Sequence, residues 1–145
     1  MKVLQNNAEA VLFCVQFVYI CHLWDDLIDK DRQRSDAEIN DAFRIALVEM
    51  NRNGFYRRHL DELAAIINNV IIRWEDANEL ERHPRGNHDY HLAHGHRAGL
   101  VDLFAYCAYL VGGTAWARKV GPEIRRMYQE PLEDYIKEME GSKNA

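Results

Sequence analysis

The sequence predicts an all-α protein, an antiparallel bundle of about five helices. Three observations carry this expectation. Apolar residues recur at three- and four-residue steps in four separate segments, as they do on helices with one buried face. No segment alternates apolar and polar residues as a half-buried strand does. The chain has only three prolines, and turn signals such as Asn53-Gly54 and Gly121-Pro122 separate the periodic segments. With 145 residues, 48% of them apolar, residues 1–145 suit one domain with one core.

The first helix is expected from about Asn7 to Arg32, with Val11, Val15, Val18 and His22 on one face. Its apolar run, Ala10 to Trp24, is interrupted by Gln16 and His22, so it reads as a core helix and not as a membrane span. Ser35 and Glu38 form a capping-box pattern that opens a second helix. There Ile39, Ala42, Phe43, Ala46, Leu47 and Met50 make one apolar face, and Asn53-Gly54 ends it. A third helix spans about Tyr56 to Arg82, with Leu60, Leu63, Ala64, Ile67, Val70, Ile71 and Trp74 on one side. "HPRGN", His83 to Asn87, breaks it. The fourth, from about His88 to Arg118, is apolar nearly all round between Leu100 and Val111, and Gly112-Gly113 reads as a helix end or a close helix contact. Gly121-Pro122 is expected to start a fifth, which Pro131 breaks or kinks. The first and fourth helices are the expected centre of the bundle.

A net charge of −5 disfavours nucleic acid as a partner, and Arg52, Arg57, Arg58 and His59 read as a solvated helix end. Cys14, Cys21 and Cys107 sit in apolar runs without CxxC spacing, which implies reduced, buried thiols in a cytoplasmic protein. The start of the chain lacks the basic, apolar and small-residue succession of a secretory signal.

The segment with most chemical content is "HLWDDLIDKDRQR", His22 to Arg34. Asp25, Asp26 and Asp29 continue the face of the first helix that is apolar one turn below. Carboxylates placed so need cations or donors. At this spacing they can converge on a hard divalent ion such as Mg²⁺, which prefers oxygen ligands and often bridges to substrate phosphates.

"DDLIDKDRQR" resembles the first aspartate-rich motif of the isoprenoid synthases, the trans-prenyltransferases and terpene cyclases. The resemblance covers about a dozen residues. It implies an all-α fold in which Asp25, Asp26 and Asp29 bind Mg²⁺ that holds a substrate diphosphate. It also implies that Arg32 and Arg34 contact that diphosphate. The second acidic motif of the family is not present, so facing ligands are sought elsewhere in the chain.

Glu75 and Glu79 share a face of the third helix, with Asn78 on its apolar side and Arg73 nearby as a further diphosphate-binding cation. Asp102 stands in the apolar stretch "GLVDLFAYCAYLVGG", where it is expected either to pair with a Tyr, His or Arg or to face Asp25 and Asp29 as a second metal ligand. His88, His91, His94 and His96 surround a helix start without a zinc framework and read as surface residues. The leading expectation is thus a Mg²⁺-dependent, diphosphate-binding helical protein whose partner is a small molecule, with an isoprenoid diphosphate as the implied substrate. The alternatives are a non-catalytic helical interaction protein, such as a homodimer, and a small all-α nucleotide pyrophosphohydrolase, for which "GLVDLF" supplies half of one motif.

Overall fold

The computed structural model describes residues 1–143 and has helices but no strand among them. A short 3₁₀ turn, Lys2–Leu4, precedes helix α1 (Ala8–Asp29). Asn7 caps α1 by accepting from the Ala10 N–H at 3.0 Å. The helix stops three residues earlier than its charge pattern suggests, because Lys30 turns left-handed (φ 59°) and returns its N–H to the Asp26 carbonyl.

Helix α2 (Asp36–Arg44) opens on the predicted capping box. Ser35 Oγ accepts from the Glu38 N–H, and the Glu38 carboxylate accepts from the Ser35 N–H. A π-turn (Ile45–Glu49) continues it into α3 (Met50–Arg52). The predicted apolar face of this segment is split. Ala42 and Met50 are buried, whereas Phe43 and Leu47 are exposed. Closing bonds over five residues instead of four shifts the helical phase between the two ends.

Helix α4 (Gly54–Arg58) is capped by Asn53, and α5 (Leu60–Arg82) follows after a break at His59. The expected fourth helix is two elements, α6 (Asn87–Arg97) and α7 (Gly99–Arg125), joined at Ala98. Within α7 the bend falls at Gly113, whose φ of 80° suits glycine. Gly112 leaves room for Trp116, which a Cβ would meet at 2.5 Å. The fifth helix does not begin at Gly121-Pro122, because α7 runs through Pro122 and ends one turn later. Pro131 precedes the last helix, α8 (Leu132–Lys143).

The main core lies where α1, α4, α5 and α7 meet. Phe13, Phe55, Leu63, Leu103, Cys107 and Ile124 are fully buried there. Phe13 stacks on Tyr56 with ring centroids 5.2 Å apart. Trp116 ties the N-terminal turn to α7 by donating Nε1–H to the Val3 carbonyl. A smaller cluster of Ala77, Tyr90, Ala93 and Tyr135 fixes α8 to α5 and α6. Cys14 and Cys107 are buried free thiols and Cys21 is half-buried, close to the sequence expectation. By length and composition alone, α1 and the stretch Asn87–Arg125 are apolar enough to cross a membrane, although in α1 the interruptions at Gln16 and His22 argue for a core helix.

Candidate functional site

Between α1, α5, α7 and the segment leading into α8 lies a cavity of about 700 Å³. Its polar end carries Asp25 and Asp29 from α1, Glu81 from α5 and Arg97 from α6. Its apolar end is walled by Val18, Val70, Leu100 and Phe104, with Trp74 between the two ends beneath Arg97. The helical period explains the first pair. Val18, His22, Asp25 and Asp29 follow one another at steps of three and four, so the apolar stripe of α1 passes into two carboxylates on the same side.

Asp26 is a full 100° away from Asp25 on the wheel, and it does not line the cavity. It accepts from Arg34 Nε at 2.6 Å, and Arg34 also donates to Glu38 at 2.8 Å. Arg34 is therefore a strut between α1 and α2. Its pKa is raised, first by the hydrogen bond to Glu38 and then by that to Asp26. Arg32 is exposed and pairs with Glu38 as well. Of the motif residues, the structure brings Asp25 and Asp29 together at the cavity and keeps Asp26, Arg32 and Arg34 out of it.

Asp25 is held above the ordinary carboxylate range. Burial is the largest cause, followed by the charge of Asp29, while Arg97 opposes the shift. Such a group gains from a cation beside it. Arg97 is the cation whose charge acts on it. It donates Nε–H to Glu81 at 2.7 Å, pairs with the other Glu81 oxygen and donates to Asn78 Oδ1 at 2.8 Å. Its guanidinium also stacks over Trp74, 5.4 Å from the ring centroid. Burial alone would lower its pKa, but the hydrogen bond and charge of Glu81 raise it on balance. Asn78, expected on the apolar side of its helix, is buried and spends its carbonyl on this arginine.

The segment into α8 closes one side of the cavity. Tyr135 donates to Glu81 at 2.6 Å, Tyr128 donates to Glu130 at 2.8 Å, and His94 bonds the Glu130 carbonyl at 2.6 Å. Both phenols are held above their usual pKa, chiefly by burial and then by the carboxylate each one meets.

The remaining predicted residues lie elsewhere. Glu75 is exposed, and Glu79 pairs with His83 on the surface, so neither faces Asp25. Glu81, two residues on, is the acid of that helix that does. Asp102 is half-buried and bridges Arg73 and Arg125, which meets the expectation of an arginine partner and leaves it outside the cavity lining. Arg73 is committed to Asp102, to the Gly95 carbonyl and to His96. Its pKa is lowered, by burial first and then by Arg125. The histidines do not converge. His88 and His91 are exposed, and His94 bonds the segment before α8.

Among the described residues no three His, Cys, Asp or Glu side chains are placed to hold one metal ion. The donor set available to the Mg²⁺ that the motif implies is two carboxylates, Asp25 and Asp29, beside an open space. Mg²⁺ commonly keeps several waters and binds through one or two carboxylates plus substrate phosphates, so this set fits a metal whose coordination a ligand completes. Arg97, Glu81 and Tyr135 carry no local sequence signal, since each gains its place only when α5, α6 and α8 pack together. Comparison with protein-family models, with curated proteins and with solved structures gives no match to this chain.

Proposed function

We propose that the cavity binds an apolar chain carrying a diphosphate head, with Mg²⁺ held between that head and Asp25 and Asp29. An isoprenoid diphosphate is the ligand that the motif resemblance implies. The observation that carries the reading is the two-ended cavity itself, in which the paired aspartates stand at one end and Val70, Leu100 and Phe104 line the other. Bound there, Mg²⁺ would neutralise part of the diphosphate charge. Asp25 and Asp29 orient the head. Arg97, already stacked on Trp74, offers a second positive charge beside it, and Glu81 restrains that charge until an anion competes for it. The apolar end takes the chain out of water, at about 0.8 kcal/mol for each buried methylene.

The test is a thermal-shift matrix of Mg²⁺, pyrophosphate and both together. Only the combination is expected to raise the melting temperature strongly, because each component supplies ligands the other lacks. Asp25→Asn with Asp29→Asn is expected to abolish the response while the metal-free protein stays folded. Equal shifts in parent and variant would end this reading.

A further inference from the structure

A second concavity, about 430 Å³, lies on the outside of α1 between α2 with its π-turn and α5. We propose that this face pairs with the same face of a second copy of the chain. The sequence builds α2 and α5 with apolar stripes that ought to be buried, and this chain leaves both partly uncovered. Phe43 is 61% exposed and Leu47 is 68% exposed on the α2 side; Leu27 and Ile71 are 45% and 37% exposed on α1 and α5.

Area, shape and charge each point to a second copy. Those four side chains leave roughly 380 Å² of apolar surface, taking about 180 Å² for a fully exposed large apolar side chain. An interface about 60% non-polar would then total roughly 630 Å² per copy, or about 1,260 Å² in all, at the lower end of the range for a stable interface. Phe43 and Leu47 stand mostly in water on one wall of the concavity, whose other walls include apolar side chains such as Leu23, Trp24 and Val70. A twofold axis brings two such open apolar faces together, so every contact is made twice. Around this face the α2 segment carries exposed Asp41 and Glu49 together with Arg44 and Arg52. That mixture suits self-pairing, whereas an anionic lipid surface would call for a basic rim.

The experiment is sedimentation velocity on the full chain across the micromolar range, with Phe43→Glu/Leu47→Glu as the variant. Both positions are mostly in water, so the variant is expected to keep the parent's circular dichroism. The parent should sediment at twice its 17.0 kDa mass. The variant should be monomeric, its dimer dissociation constant raised on the order of a hundredfold, as when central apolar anchors are lost. Leu132→Glu, on α8, should remain dimeric. A monomeric parent would overturn the proposal, and so would a dimer that survives the double substitution. A parent that is monomeric in solution but sediments with anionic lipid vesicles would overturn it in favour of a membrane surface.

Discussion

Glu81→Ala removes the group on which the polar end of the cavity and the docking of α8 both depend. Glu81 and Arg97 side chains are 15% and 16% exposed, so their pairing is largely shielded from water. Removing one partner of a buried pair costs about 3–5 kcal/mol, because the other charge is stranded. Here Asn78 and the Trp74 ring still hold Arg97, which argues for the lower end. Tyr135 loses its acceptor too, worth about 1 kcal/mol. The expected total is about 3–4 kcal/mol, or roughly 6–14 °C in melting temperature for a chain of this size. Glu81→Gln keeps one oxygen for Arg97 Nε and Tyr135 but loses the charge and the second acceptor that Arg97 pairs with, so it should cost about 2 kcal/mol, less than the alanine variant. Urea denaturation of the two variants and of Tyr135→Phe measures this directly. If Glu81→Ala stays within about 0.5 kcal/mol of the parent, the ordinary range for surface changes, the buried pair does not exist in solution.

Three further outcomes follow from the same geometry. Asp102→Ala should cost about 2 kcal/mol, between the values for surface and buried pairs, since it strands Arg73; an unchanged denaturation midpoint would place Asp102 in water. Asp25→Asn should raise the melting temperature at neutral pH. A carboxylate whose folded pKa is raised stabilises the fold least once pH has passed that value, so the gain should fade toward acid; a variant no more stable at pH 7 would contradict this. Glu38, held at about 2 first by the Ser35 N–H and then by Arg34, contributes stability that is present above its ordinary value of 4.5 and lost as pH falls toward about 2. Glu38→Gln should therefore flatten the acid dependence in that window, and a parent-like acid profile in the variant would refute the assignment.

The helices were legible where one face repeats and a cap marks the start. Ser35 and Glu38 form the predicted box, and the "HPRGN" break separates α5 from α6. Less was legible where backbone phase or long-range packing decides. The π-turn at Ile45–Glu49 shifts the helical phase so that Leu47 is exposed while Met50 is buried, and no residue type in "RIALVEM" announces it. In α7 the Gly112-Gly113 signal does mark the bend, at Gly113, whereas Gly121-Pro122 starts no new helix because α7 runs through it. At the site, the spacing of Asp25 and Asp29 was enough to place both on one side of α1. The wheel also put Asp26 within reach of them, but Arg34 returns along the next loop and takes it. Glu81 and Arg97 lie 16 residues apart and meet only through the packing of α5 on α6, which no local pattern encodes.

The most direct test is calorimetric titration of farnesyl diphosphate, and separately of pyrophosphate, into the protein with and without Mg²⁺. Both are expected to bind only with Mg²⁺ present. The chain-bearing ligand should bind at least about a hundredfold more tightly, since burying four methylene equivalents is worth about 3 kcal/mol. Phe104→Asp, which puts a charge at the apolar end, should erase that preference and leave pyrophosphate binding as it was. Absence of heat with Mg²⁺ present, or equal affinity for the two ligands, would contradict the account.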